Sequence, residues 1–266
     1  MLYITATNVR EMNQSRGGTE EIYRRLIESY NLVEVDFKLT KNIKFGVLFC
    51  VGFSFFNIVK TIIFKNFSLV IVKTATYSKY RNIFESLLYT YIISRFAVVA
   101  VLTEGQQEIY KRSVKLDLLH LYGIKKVPSC ELERNYKYGY VGRIDIDKGY
   151  IKAVELMESL SINNTCVLDI LIWDDAELKY LPSGNKNLDV RWGNKSKGVP
   201  PYSEIKNLIL PYKSLSSTIA FPLVVLEALV NGCCIYTSAE VAELAANELP
   251  AFSHMIFSIQ ELQDHL

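Results

Sequence analysis

The feature that most constrains this chain is an alternation of short apolar runs with amphipathic or charged runs, played through twice. In the first series, 2–7, 32–39, 68–73, 97–102 and 116–122 read as strands, each a few β-branched or alternating apolar residues long. Between them lie helical patterns: Ile22, Leu26, Ile27 and Tyr30 after a cap at Thr19, then 82–93, then 103–112. The stretch 123–137, GIKKVPSCELERNYK, is charged, carries Pro128 and lacks a period, so it reads as a linker. After it the alternation restarts. Strands are expected at 138–141, 167–172, 188–192, 208–210 and 233–238, with helices at 148–160, 221–231, 238–247 and from 258. Strands alternating with crossover helices make parallel sheets. The expected fold class is therefore α/β, two Rossmann-like domains whose parallel sheets face a cleft, with domains 1–130 and 131–266.

Composition supports a packed core and excludes some partners. Half of the 266 residues are hydrophobic and the net charge is only +2, too mild a balance to argue for nucleic acid. Cys50, Cys130, Cys166, Cys233 and Cys234 show no CxxC spacing and are odd in number. Reduced, buried thiols are expected. The three histidines are scattered, so no histidine metal site is expected. The N-terminus lacks the basic-then-apolar order of a signal peptide, and a cytoplasmic protein is expected. The run 45–59, FGVLFCVGFSFFNIV, is the most apolar in the chain, and lysines 41, 44, 60 and 65 flank or interrupt its extension to 64. A buried crossover helix explains it. Two alternatives stay open: a helix that also makes peripheral membrane contact through 45–64, and a true span.

Two stretches carry candidate chemistry. In 214–238, a polar loop with Thr218 leads into an apolar helix at Phe221-Pro222, which Gly232 ends before a strand. The helix start offers unpaired N–H groups and the positive end of a dipole, a ready anion site. Glu227, further along the helix, is placed either on an ordinary wet face or where it accepts hydrogen bonds from sugar hydroxyls. In 140–149, YVGRIDIDKG, a strand ends at Gly142, so that backbone can approach a ligand. Arg143 and Lys148 then flank a loop and can aim at one anion, the first as a fork, the second as a point charge. Asp145 and Asp147 cap the helix or pair with these bases. A solvated charge cluster is the competing reading. Near the N-terminus, Gly17-Gly18 between a strand and a helix forms either a simple turn or a phosphate-approaching loop.

Together these blocks resemble the donor domain of the retaining GT-B glycosyltransferases of family four, the "group 1" transferases. Gly142-Arg143 with Lys148-Gly149 matches their first block, and Leu210-Pro211, Glu227-Ala228 and Gly232 match their second. The first half resembles their acceptor domain in topology, through Gly17-Gly18 and the turn at Thr103-Glu104. The resemblance implies that Arg143 and Lys148 hold and neutralise a departing diphosphate, as the catalytic pair. It implies donor binding by Gly17, Gly18, Gly142, Thr218, Glu227 on the ribose, and the backbone N–H groups of Leu223 and Val224. It further implies a UDP- or GDP-linked sugar as donor, a glycan, lipid or protein as acceptor, no metal and no other cofactor, and leaves an oligomer open. Asp174-Asp175, after a strand, reads as a helix cap rather than a metal pair. The match departs at Ile219, where the family carries a second Glu, and at 73–80, which lacks a histidine. The alternative is a degenerate GT-B protein that binds a nucleotide or glycan, or serves a transferase as a non-catalytic subunit.

Overall fold

The computed structural model describes residues 3–6, 18–34, 45–50, 68–73, 79–91, 94, 97–124, 127–129, 133–172, 174–193, 201–213 and 221–263. Two six-stranded sheets emerge, and every strand pairing in them is parallel. The first sheet belongs to a unit that runs to Lys125, and the second to a unit that begins at Lys126.

The first sheet is built from β1 (Tyr3–Ala6), β2 (Val33–Glu34), β3 (Phe45–Cys50), β4 (Ser68–Lys73), β5 (Ala97–Val101) and β6 (Val114–Lys115), in the order β2-β1-β3-β4-β5-β6. Helix α1 (Gly18–Tyr30) buries Ile22, Tyr23 and Leu26, while Ile4, Leu48 and Phe49 are buried on the strands. Tyr23 meets Phe49 edge-on, ring centroids 5.2 Å apart. Helices α2 (Lys79–Tyr91), α3 (Glu104–Ile109) and α4 (Leu118–Leu121) complete this unit's described helices.

Three expectations are corrected here. The apolar run from Phe45 begins as a strand, not a helix: β3 is paired with β1 on one side and β4 on the other. A strand buried in mid-sheet reads as a continuous apolar run, which periodicity does not distinguish from a buried helix. The remainder of that run, 51–67, lies outside the described residues. The strand expected at 116–122 is instead the short β6 followed by α4, because the Asp117 carboxylate accepts the His120 N–H at 3.1 Å and starts a helical turn. Thr19 lies within the first turn of α1, which begins at Gly18, and is not its cap. Among the described residues, no helix is long and apolar enough to cross a membrane.

The second sheet comprises β7 (Tyr136–Arg143), β8 (Cys166–Leu171), β9 (Leu188–Gly193), β10 (Ile205–Leu210), β11 (Cys234–Thr237) and β12 (Ile256–Ser258), in the order β12-β11-β10-β7-β8-β9. Its described helices are α5 (Tyr150–Leu160), α6 (Leu223–Val230), α7 (Ala239–Glu248) and α8 (Ile259–Gln263). Val167, Leu168 and Ile170 on β8 and Leu208, Ile209 and Leu210 on β10 are all buried, as strands covered on both faces must be. Helix α6 buries Leu223, Val225, Leu226, Ala228 and Leu229, so its half-exposed stripe is Val224, Glu227 and Val230. Cys166, Cys233 and Cys234 are buried thiols outside any disulfide, and burial pushes Cys166 up to about 12.

Candidate functional site

Strand order points to a candidate site. From β7 the chain adds β8 and β9 on one side, then returns to add β10, β11 and β12 on the other. The order therefore reverses between β7 and β10. Loops leaving two neighbouring parallel strands in opposite directions open a crevice at their carboxyl ends, where open α/β sheets bind ligands. The two loops here are those after Arg143 and after Leu210, the same two blocks singled out in the sequence.

The loops are joined through their backbones. The Lys213 N–H donates to the Asp147 carbonyl at 2.9 Å. Gly149 has φ +74°, and a Cβ there would sit 1.7 Å from the Pro211 carbonyl oxygen. Glycine at 149 is thus required twice, by its left-handed backbone and by the approach of the β10 loop. Gly142 is not the strand end that was expected. The strand runs on through Arg143, and a Cβ at 142 would meet the Tyr140 hydroxyl at 2.6 Å. That hydroxyl crosses the glycine to donate to the Arg143 carbonyl at 2.9 Å. Gly142 makes room for Tyr140, which holds the strand end from which Arg143 projects.

Charge is concentrated on the first loop. Arg143 Nη2 lies 3.4 Å from Asp145 Oδ2, both side chains about one-third exposed. The other oxygen, Asp145 Oδ1, accepts the N–H groups of Asp147 at 2.9 Å and Lys148 at 3.3 Å. Asp145 therefore pairs with Arg143 and closes the turn ahead of α5, but it does not cap that helix as expected, since the helix begins at Tyr150 and its N-cap Gly149 carries no side-chain bond. Burial, then the nearby Arg143 charge, holds the Lys148 ammonium below the usual lysine range, and Asp145 only partly opposes this. Two cations close enough to disfavour one another form a site poised for an anion.

The second loop delivers helix α6. Pro222 is its N-cap and supplies no side-chain cap, and Leu223 and Val224 are its first two helical residues, whose N–H groups have no intrahelical acceptor. At the other end Gly232, φ +78°, closes the helix: the Cys233 N–H reaches the Ala228 carbonyl at 3.0 Å and the Gly232 N–H the Leu229 carbonyl at 2.9 Å. Glu227 Oε2 accepts the Tyr202 hydroxyl at 3.0 Å. Burial and the adjacent Glu227 raise the Tyr202 phenol far above its ordinary range, so it stays a donor.

Tyr212 ties the two blocks together. It follows Pro211 and is buried. Burial raises its phenol, the Arg143 charge opposes the rise, and Asp145 and Glu227 add to it. The cation loop and Glu227 thus act on one side chain. Sequence reading missed both Tyr202 and Tyr212. Tyr212's place directly after a strand end was the available signal, whereas Tyr202 lies in a short 3-10 turn (Tyr202–Glu204) ahead of β10 and offers none.

The other expected residues divide as follows. Gly18 is the first residue of α1 in the first unit, while Gly17, Thr218 and Ile219 lie outside the described residues. Asp174 caps a 3-10 turn, accepting the Ala176 N–H at 2.9 Å, as expected.

No protein-family model matches this chain, and no curated protein matches it in sequence. Solved structures do. An alpha-glucosyltransferase in complex with UDP and a 13-mer DNA containing an HMU base aligns over 91% of this chain and 80% of its own, at 9% identity and a TM-score of 0.54. The lipopolysaccharide outer core galactosyltransferase WaaB, in apo form, aligns over 89% and 80% at 13% identity and 0.49. The pneumococcal O-GlcNAc transferase GtfA, with UDP and GlcNAc, aligns over 82% of this chain at 15% identity and 0.48. This chain spans 44% of that transferase and 42% of the matched chain in a GtfA/B complex. In fold, the chain is similar to the GT-B glycosyltransferases.

Proposed function

We propose that this chain is a glycosyltransferase of the retaining, metal-independent GT-B type, a hexosyltransferase using a UDP- or GDP-linked sugar. Its domains are 1–130 on the acceptor side and 131–266 on the donor side, and its acceptor is a hydroxyl of a glycan, lipid or protein. The observation that supports this reading is the reversal of strand order between β7 and β10, which sets the loop bearing Arg143 and Lys148 beside the loop that leads toward the Glu227 helix.

Each residue then has a role. Arg143 and Lys148 receive the diphosphate, and the N–H groups of Leu223 and Val224 add to its binding at the start of α6. Glu227 accepts hydroxyl protons of the ribose. When the glycosidic bond to phosphate breaks, negative charge grows on the leaving oxygen. Fixed cations at that point stabilise the transition state more than the ground state. The alpha-glucosyltransferase structure similar in fold contains UDP, in keeping with such a donor.

The test is calorimetric titration with UDP, GDP and their sugar conjugates. Replacing both cations in Arg143→Ala/Lys148→Ala removes two charge-assisted contacts of about 1.5–3 kcal/mol each, so affinity falls by at least about 100-fold. Equal binding by wild type and variant removes the donor-site assignment. A second reading, a nucleotide-binding protein without turnover, is favoured by Ile219 in place of the family's second Glu. Release of free sugar from the bound donor separates the two: tight binding with no turnover of any donor sinks the enzyme reading.

A further inference from the structure

We infer that Tyr202 is a positioning residue that fixes the Glu227 carboxylate for ribose, making the site selective for ribonucleoside over 2′-deoxyribonucleoside diphosphates. This rests on the reading of Glu227 as the ribose-binding group.

The geometry is a closed frame around one side chain. Tyr202 donates to Glu227 Oε2 at 3.0 Å from a position only 5% exposed. The frame holds Tyr202 from behind. Arg134 Nη1 donates to the Tyr202 carbonyl at 2.8 Å and to the Ile205 carbonyl at 2.7 Å, and Cys233 Sγ lies 3.1 Å from the Tyr202 carbonyl. The same guanidinium donates through Nη2 to the Asn231 carbonyl at 2.6 Å. Asn231 in turn donates its side-chain N–H to the Glu227 carbonyl at 2.8 Å. The turn bearing Tyr202 and the end of the helix bearing Glu227 are thus clamped to one arginine. Gly232 makes the clamp possible, since a Cβ there would sit 2.7 Å from Arg134 Nη2.

The consequence is chemical. An ionised carboxylate only accepts hydrogen bonds. A phenol that stays protonated and donates to one oxygen sets the plane of the carboxylate before any ligand arrives. A preset acceptor loses less freedom on binding vicinal hydroxyls. It also penalises a ligand that lacks one of them, because one hydrogen bond of the bound state is then not made.

The experiment measures affinities of UDP, GDP and their 2′-deoxy counterparts for wild type, Tyr202→Phe, Glu227→Gln and the double variant. Wild type is expected to prefer the ribo form by about tenfold or more. Tyr202→Phe keeps the ring and should lower that ratio at least about threefold while changing deoxy binding little. In the Glu227→Gln background the same change should leave the ratio where it was, because the two act as one unit. A Tyr202→Phe variant that keeps the wild-type ratio overturns the inference and leaves the ribose reading standing. So does one that weakens ribo and deoxy forms equally, the mark of a purely structural tyrosine. If wild type shows no preference, or Glu227→Gln keeps it, the ribose reading itself fails and the inference falls with it.

Discussion

Gly149 shows how a motif residue can be legible in a sequence while its reason is not. The Lys-Gly pair stands out in the chain, but what demands glycine is the Pro211 carbonyl of a different loop, 1.7 Å from where a Cβ would be. Gly149→Ala must displace that loop or leave its left-handed backbone. It should cost about 3 kcal/mol or more, read from the urea midpoint. Gly105→Ala serves as the control. Nothing lies within 4 Å of its Cβ position and it sits in α3, so a gain of about 0.5 kcal/mol is expected. Lys148 gives the second prediction at this scale. Its folded pKa is lowered from the ordinary 10.5 by burial and by Arg143. The unfolded chain therefore binds more protons in the window between the lowered value and 10.5. The cost to stability is full below that window and disappears as pH rises through it. Lys148→Met should raise the melting temperature of the ligand-free protein at neutral pH, with a gain that shrinks as pH approaches 10.5, while weakening nucleotide binding by about tenfold or more. A melting temperature unchanged or lowered at neutral pH would show that the lysine is not under strain.

At the scale of elements, the cap at Thr103 was legible where the apolar run at Phe45 was not. The Thr103-Glu104-Gly105-Gln106 pattern announces a helix start, and Thr103 Oγ1 accepts the Gln106 N–H at 3.2 Å. The return bond differs from the usual box. Gln106 Oε1 accepts from Leu102 rather than from Thr103, at 2.9 Å, and the glutamine is buried. Its carbonyl thus satisfies the backbone where β5 gives way to α3. Gln106→Ala should leave the Leu102 N–H unpaired in the interior, at about 1–3 kcal/mol, against about 1 kcal/mol for Thr103→Ala. Amide exchange at Leu102 should accelerate in Gln106→Ala far more than in Thr103→Ala. Comparable acceleration in both would mean that the side-chain carbonyl is not what protects that amide. The apolar run at Phe45 was misread because period does not distinguish a strand flanked on both sides from a buried helix, and a run reaching 59 has the length of a helix. Only its pairing with β1 and β4 does so, and pairing is a property of distant segments.

At the scale of the whole molecule, alternation was enough to foresee parallel sheets, but not their strand order. Nothing local to β10 says that it lies beside β7 rather than beyond β9. That placement turns two separate sequence blocks into neighbours, with Tyr212 acted on from both. The first sheet reverses in the same way between β1 and β3, and the segments leaving those strands, 7–17 and 51–67, lie outside the described residues. In the second sheet the opposite strand ends offer a rival location, a cavity of about 490 Å³ lined by Tyr136, Thr165, Lys186 and Asp189 among others. Its lining carboxylate is already engaged: Asp189 accepts from Tyr136 at 2.7 Å and from Arg191 at 2.8 Å. The reversal point instead combines a depressed lysine with a helix start that has no side-chain cap, which is the better anion site. Hydrogen exchange with saturating UDP or GDP distinguishes the two. Mass action stabilises the bound form by about 2.7 kcal/mol at one hundred times Kd, and local protection marks where the ligand sits. Protection is expected at 144–149 and 222–227 and should vanish in Arg143→Ala/Lys148→Ala. Protection centred on 185–190 would move the site to the far end of the sheet and dissociate Arg143, Lys148 and Glu227 from the nucleotide.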